Sequence, residues 1–321
     1  MPNVGRIVKT NHSDLYDLNI GNQFLQGYGE AEHEFEDVYN VVNITHQDTR
    51  YSHISGLGVW PVKPFGANVT FDGIYQGYDV TITPKTYASA YTVEKETIDD
   101  DPTGLLTGPL SQSHGQMARE TMEILAAVPF NSATTATIFE WCSAASGAGY
   151  LGDGKALLAT DHPILSGGTY ANTPSSAADL SISSLQASLI RLNKMQGARG
   201  QQWPLQGEMV VVPVDSRFLL DELLDGDKMP YTADNTVNSV RGLLKKKVWS
   251  RLTDPDSWFV LAGKAGKPGA KGHGLVAVIR QMPEFRKDNV FASGDRQYAG
   301  DFRIGFGAYD FRGVDGSIGA G

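Results

Sequence analysis

The chain has 321 residues, 41% hydrophobic and 20% charged, a globular composition that excludes wholesale disorder. Its formal net charge of -9 excludes a protein drawn as a whole to nucleic acid or anionic membrane, although an acidic balance also suits a protein that encloses DNA without gripping it. A single cysteine, Cys142, excludes an intrachain disulfide and a zinc site built on several thiolates. Glycine is the outlier at 36 residues, which points to a loop-rich, sheet-containing protein rather than a helical bundle.

In chain order, Met1-Pro2-Asn3-Val4-Gly5 shows no basic stretch leading into an apolar one, so no signal peptide is expected. No apolar run reaches the roughly 20 residues needed to cross a bilayer. The first fifty residues are polar, with an acidic cluster at Glu30, Glu32, Glu34, Glu36 and Asp37 and scattered apolar positions. They read as an arm held by packing on a neighbouring subunit rather than by its own core.

Residues 59–98 read as β structure. Asn68–Ile74 and Asp79–Thr83 alternate apolar and polar residues, with Gly73 and Gly77 between them, and a third extended piece runs from Tyr87 to Glu94. A two-stranded hairpin of this kind is marginal in water and needs support from elsewhere. Asp99-Asp100-Asp101-Pro102 breaks the pattern, and from Ser111 a helix is expected with Met117, Thr121, Ile124, Leu125 and Val128 on its apolar face. Pro129 ends or kinks it. A second helix is expected around Ala133–Ala145, carrying Ile138, Trp141 and Cys142.

A long loop over 147–179 follows, then an amphipathic helix over Ser181–Gln196 stopped by Gly197. Strands at 208–214, 248–253, 258–261 and 275–279, with a short helix at 217–224, suggest an α/β unit over roughly 205–285. Asp301–Phe311 alternates strongly and reads as a strand returning to the earlier body.

That order of arm, hairpin, long helix, α/β unit and returning strand, together with three local motifs, resembles the HK97-type major capsid proteins of tailed bacteriophages, in their Mu-type branch. The motifs are Glu96-Thr97-Ile98-Asp99-Asp100-Asp101, then Leu157-Leu158-Ala159-Thr160-Asp161-His162-Pro163 with Gly167-Gly168-Thr169-Tyr170-Ala171-Asn172, and finally Phe306-Gly307-Ala308-Tyr309-Asp310-Phe311-Arg312-Gly313. The resemblance covers about residues 40–316. It implies an α+β, HK97-type capsid fold with an N-terminal arm (1–58), an extended β-hairpin or E-loop (59–98) and a peripheral domain with a long spine helix (99–204). An α/β axial domain (205–285) and a returning peripheral strand (286–321) complete it.

The resemblance further implies a structural subunit with no catalytic, metal or cofactor site, self-assembling as hexamers and pentamers into an icosahedral shell around phage double-stranded DNA. Scaffold, portal and decoration proteins are the expected partners, with no membrane and no sequence-specific DNA contact. The expected location is the virion capsid, assembled in the bacterial cytoplasm. With no obvious removable N-terminal region, the scaffold is expected to be a separate protein. Trp60, Phe71, Tyr75, Tyr78, Lys85 and Glu94 are the subunit-interface candidates, because aromatic residues on an unsupported hairpin suit interface anchoring. Cross-linking through Lys63, Lys85 or Lys95 is not expected.

Sharper chemistry finds little support. Asp161 and His162 are adjacent, so their side chains do not converge, and no Gly-x-Ser-x-Gly elbow accompanies them. The stretch 263–272 lacks the Gly-Lys-Ser/Thr ending of a phosphate loop. Lys245-Lys246-Lys247 with Arg251 is the one basic run, expected to be a solvated edge or one side of an ion-pair contact between subunits. The seven histidines show no metal-ligand spacing. Two rivals remain: an encapsulin-like cellular compartment shell, and a soluble α/β hydrolytic or sugar-processing enzyme.

Overall fold

The structure is a computed structural model describing residues 13–31, 33–100, 108–136, 141–144, 151–165, 167–228, 237–265, 270–290 and 292–320. The chain runs α1 (Ser13–Glu30), α2 (Phe35–Val38), β1 (Asn40–Asn43), β2 (Thr49–Ile54), β3 (Gln76–Ile82), β4 (Lys85–Val93), α3 (Lys95–Asp99) and α4 (Gly108–Asn131). It continues through β5 (Cys142–Ala144), β6 (His162–Pro163), β7 (Thr169–Tyr170), α5 (Ile182–Asn193), β8 (Gly207–Val212) and α6 (Arg217–Asp225). β9 (Lys245–Val248), β10 (Trp258–Ala262), β11 (Leu275–Asn289), β12 (Arg296–Ala308) and β13 (Val314–Ser317) complete it. Two compact units result: Met1–Glu34 with Lys85–Leu125 and Arg280–Ile304, and Phe35–Pro84 with Ala126–Ile279 and Gly305–Gly321.

In the first unit, β4 pairs antiparallel with β12 from Arg296↔Val93 to Ile304↔Lys85. Ile20, Val93 and Tyr298 form its buried cluster, with Tyr91 and Phe285 packed against them. The acidic, apolar-poor stretch read as an arm contains a helix, α1. Its buried positions Ile20, Phe24 and Gly27 fall at i, i+4 and i+7, a face too thin to stand out in the sequence. That face meets α4 backbone to backbone: a Cβ on Gly115 would lie 2.0 Å from the Phe24 carbonyl oxygen, and one on Gly27 would lie 2.1 Å from that of Gln112. Ser111 Oγ donates to the Ile20 carbonyl at 2.9 Å across the same seam.

The buried face of α4 is not the apolar one expected. Met117 and Ile124 are 55% and 50% exposed, while Ser111, Gly115, Arg119, Met122 and Glu123 are buried. The reason is pairing. Arg119 Nη2 lies 3.0 Å from Glu123 Oε1 one turn on, Nη1 donates to Tyr28 Oη at 3.3 Å, and the guanidinium lies over the Tyr28 ring at 5.7 Å. A charge satisfied by its own helix and by α1 can occupy a face that residue-type counting assigns to solvent. Pro129 sits inside the last turn, and the helix ends two residues later, at Asn131.

In the second unit, β2 and β3 pair antiparallel from Thr49↔Ile82, and β5 adds to β3 through Val80↔Ala144 and Ile82↔Cys142. Two sequence expectations are corrected here. Asn68–Ile74 is not a strand, and the partner of β3 is β2 instead: alternation marks a sheet face but does not supply a partner. Cys142 stands on a strand rather than a helix, because its backbone completes the β3 ladder; Ile138 lies outside the described residues.

The second sheet has the order β13-β10-β8-β9. All five residues of central β10 are buried, and covering Phe259, Val260 and Leu261 contributes roughly 1.5–3 kcal/mol each relative to exposure. Helix α5 packs on β13 and β10, started by a Ser181–Ser184 capping box and burying Leu185, Ser188 and Leu192. The strand expected at 248–253 lies at Lys245–Val248, where three lysines cover a sheet edge against further pairing. Leu275–Ile279 opens a much longer strand, β11, and pairs outside this sheet, Val276–Ile279 running parallel to β1. Phe130 contacts Phe259 and Trp249 edge-on at 5.0 and 5.4 Å, and Phe306 contacts Tyr39 and Phe35 likewise at 5.3 and 5.4 Å. No helix among the described residues is long and apolar enough to cross a membrane.

Candidate functional site

Between Ile54 and Gln76 the chain leaves its ladder and runs without regular strand structure through residues 55–75. Gly58, Pro61, Pro64 and Gly66 suit this departure, since proline withholds a donor and glycine accepts open turns. What the loop carries is unusual for water-facing chain. Trp60, Val62 and Phe71 are 90%, 94% and 96% exposed, and Leu57, Val59, Phe65, Val69, Ile74 and Tyr75 are exposed as well. Its two legs bound a groove of about 670 Å³, lined by Trp60, Pro61, Val62, Pro64, Val69 and Phe71. A contiguous apolar surface of this kind marks a place where something else packs.

The base of the loop is closely tied. Ser55 and Tyr75 close it, the Ser55 N–H donating to the Tyr75 carbonyl at 2.9 Å and the Tyr75 N–H to Ser55 Oγ at 3.0 Å. Asp72 Oδ2 accepts the Gly58 N–H at 2.6 Å, joining the outgoing leg to the returning one. Arg199 then grips the returning leg: Nη1 lies 2.8 Å from both Asp72 carboxylate oxygens, Nη2 donates to the Gly73 carbonyl, and the guanidinium lies over the Tyr75 ring at 5.3 Å. The Arg199 guanidinium holds the Asp72 carboxyl below its usual range, with the Gly58 N–H adding to the effect.

The six candidate residues do not form one cluster. Trp60, Phe71 and Tyr75 share the loop. Tyr78 stands on β3, half-buried, stacked on His53 at 5.1 Å, and burial pushes its hydroxyl far above the ordinary tyrosine range. Lys85 and Glu94 belong to the other unit, both exposed, Lys85 opening β4 and Glu94 immediately following it. Sequence reasoning missed Val59, Val62, Phe65, Asp72 and Arg199. The apolar density between Val59 and Phe71 was a usable signal for the first three; nothing local links residue 199 to residue 72.

The sharper chemical candidates resolve into structural roles. The carboxylate facing His162 is that of Asp153, at 2.7 Å, whereas Asp161 pairs with Lys155. His162 is fully buried, with Nε2 3.2 Å from Asn172 Oδ1 and its ring stacked on Phe311 at 4.0 Å. Burial pushes the Cys142 thiol up to about 12, which leaves little thiolate at neutral pH. The basic run is paired within the subunit: Lys245 with Glu208 at 2.6 Å, Lys246 with Asp221 and Asp225 at 2.5 and 2.6 Å, and Lys247 with Asp37 at 2.9 Å. Among the described residues no group of three His, Cys, Asp or Glu side chains is placed to hold a metal ion.

A family model described as phage capsid protein matches residues 77–314, beginning just after the loop. No curated protein sequence matches the chain. Among solved structures, it is similar to the mature capsid of bacteriophage PhiM1, with 11% identity, a TM-score of 0.56, and 90% of this chain and 87% of that chain covered. The procapsid of bacteriophage JBD30 gives 17% identity and a TM-score of 0.51 over 97% of this chain and 76% of that one. The capsid of the native GTA particle gives 12% and 0.50 over 89% and 92%. At these identities the likeness is one of fold.

Proposed function

The chain belongs to the phage capsid protein family, and from that premise we propose how this HK97-type major capsid subunit builds its shell. The observation that carries the proposal is loop 55–75, which exposes large apolar side chains that a lone soluble subunit gains nothing by showing. The loop lies over a neighbouring subunit, with Trp60, Phe71 and Tyr75 as its anchors. Buried aromatic residues dominate interface energetics in this way. Tyr78 supports the loop from inside the subunit, and Lys85 and Glu94, on the other unit, supply charged contacts of their own to neighbouring subunits. Each contact is modest, but a subunit held by several neighbours meets the next one at high effective concentration, so a closed shell is stable where a dimer is not.

In this reading the partners are further copies of the chain, as hexamers and pentamers, together with scaffold, portal and decoration proteins. The shell encloses double-stranded DNA without reading its sequence. The net charge of -9 and the pairing of Lys245, Lys246 and Lys247 with carboxylates of the same chain both support that, since the first repels phosphate as a whole and the second occupies the basic run. Assembly takes place in the host cytoplasm, and membership of the Mu-type branch rests on the acidic junction at 96–101, the Thr160–Pro163 loop and the closing strand at 306–313.

Light scattering and negative-stain imaging of the chain, expressed alone and with its neighbouring genes, test the proposal. Closed particles, sheets, tubes or rings are expected. A monomer or dimer under all conditions overturns it, and particles that co-purify with a cargo protein rather than DNA favour a cellular compartment shell.

A further inference from the structure

Loop 55–75 presents a physical problem. A segment without a ladder, displaying apolar side chains, has many conformations open to it, and ordering it on contact with a neighbour costs conformational entropy that weakens the contact. Its apolar side chains would also fold back on each other or on the subunit unless something holds the legs in place. Within the second unit, one side chain from outside the loop meets it at three points.

Arg199 comes from the turn after α5, and that turn is itself fixed. The Gly197 N–H donates to the Gln201 carbonyl at 2.8 Å, the Gly200 N–H to the Gly197 carbonyl at 3.0 Å, and the Arg199 N–H to Gln201 Oε1 at 3.0 Å. The side chain is only 19% exposed, so its guanidinium is directed rather than free to roam. It meets the Asp72 carboxylate, the Gly73 carbonyl and the Tyr75 ring, while Asp72 in turn holds the Gly58 N–H of the opposite leg. A planar guanidinium satisfies a carboxylate, a carbonyl and an aromatic face at once, which a lysine cannot do. Gly58 fits the same arrangement: a Cβ there would lie 2.9 Å from Arg199 Nη1 and 3.1 Å from Asp72 Oδ2.

We propose that Arg199, acting through Asp72, is the positioning residue that sets loop 55–75 in its contact geometry before a neighbouring subunit arrives. The inference rests on the reading of that loop as an intersubunit contact. It assigns the ordering of the loop to the free subunit, so that assembly proceeds by docking of a prepared surface.

The test is hydrogen exchange of backbone amides 56–75 in the full-length unassembled subunit, paired with assembly rate by light scattering. Arg199→Ala and Asp72→Asn are expected to raise exchange across the loop about fivefold, the scale of losing one partly exposed charged contact. They are expected to slow assembly while leaving exchange in β8 and β10 unchanged. Arg199→Lys, which keeps a cation facing Asp72, retains part of the protection at Gly58 and Gly73, whose N–H groups both donate to that carboxylate. Asp72 lies on the exposed loop, so Asp72→Asn remains informative if Arg199→Ala fails to fold. Unchanged loop exchange in both variants overturns the proposal, and so does raised exchange with an unchanged assembly rate. A Trp60→Ser/Phe71→Ser chain with native Arg199 separates the two claims: normal assembly by that chain removes the intersubunit reading itself, whatever Arg199 does.

Discussion

Asp153 and His162 form a pair wholly inside the fold, with Oδ2 2.7 Å from Nδ1 and neither side chain exposed. Asn172 fixes the other side of the ring, since its Nδ2 donates to the Leu157 and Val314 carbonyls at 2.7 and 3.1 Å and so directs Oδ1 toward Nε2. The constellation joins the Thr160–Pro163 loop to the closing segment of the chain, where Phe311 stacks on the imidazole. A histidine and a carboxylate placed like this serve the fold, because no solvent or substrate reaches them.

His162→Phe keeps the stack on Phe311 but leaves the Asp153 carboxylate buried without its partner. Removing one member of a buried pair costs about 3–5 kcal/mol. Urea unfolding of the unassembled subunit is expected to show that loss as a lower midpoint with an unchanged slope. A midpoint within experimental error of the native chain refutes the structural role.

The seam between α1 and α4 tolerates no side chain at Gly115. Alanine is the better helix former by about 1 kcal/mol, yet here its Cβ would meet the Phe24 carbonyl, and overpacking of this kind costs about 1–3 kcal/mol. Gly115→Ala is therefore expected to lower Tm, while Ser113→Ala on the exposed side of α4 leaves it unchanged or slightly raised. Equal behaviour of the two variants in a thermal melt contradicts the close approach.

Burial pushes the His273 imidazole down to about 4, with the nearby Lys264 ammonium acting in the same direction. The unfolded chain takes up a proton near the ordinary value of about 6.5, and the folded chain does so only near 4. The unfolded state thus binds more protons between these limits, so the contribution is complete above about 6.5 and is lost as pH falls toward 4, by up to ~3 kcal/mol. His273→Gln is expected to flatten the pH dependence of urea stability over that window; an unaltered profile shows that the histidine is not its source.

Trp60 and Phe71 touch water rather than core, so Trp60→Ser and Phe71→Ser are expected to leave subunit stability within about 0.5 kcal/mol. Anchors of an interface are worth about 2 kcal/mol or more, so each substitution raises the concentration needed for assembly about thirtyfold. Sedimentation across a concentration series reads this directly. A large stability loss, or unaltered assembly, places the two residues in some other role.

Regular elements with strong local patterns were legible in the sequence. Helix α5 declares itself through Ser181 and its leucine spacing, α6 through its leucines, and β10 through an unbroken apolar run. Elements whose face is made by a partner were not. Nothing in α1 advertises a helix whose key contacts are glycine against backbone, and nothing in α4 says that Arg119 and Glu123 satisfy each other and turn inward. Cys142 was expected on a helix, but the β3 ladder decided otherwise. The loop aromatics Trp60, Phe71 and Tyr75 could be named from composition alone, but Asp72 and Arg199 could not.

The sequence by itself determined the class of protein: an acidic, glycine-rich α+β chain with one cysteine and motifs in the order of a capsid subunit. Those properties are carried by residue type and spacing, which survive without coordinates. Only the tertiary structure decided which strand partners β3, which face of α4 is buried, which carboxylate meets His162, and that residue 199 holds residue 72. Each of these depends on contacts between residues far apart in the chain, where pairing, close approach and desolvation outweigh local propensity.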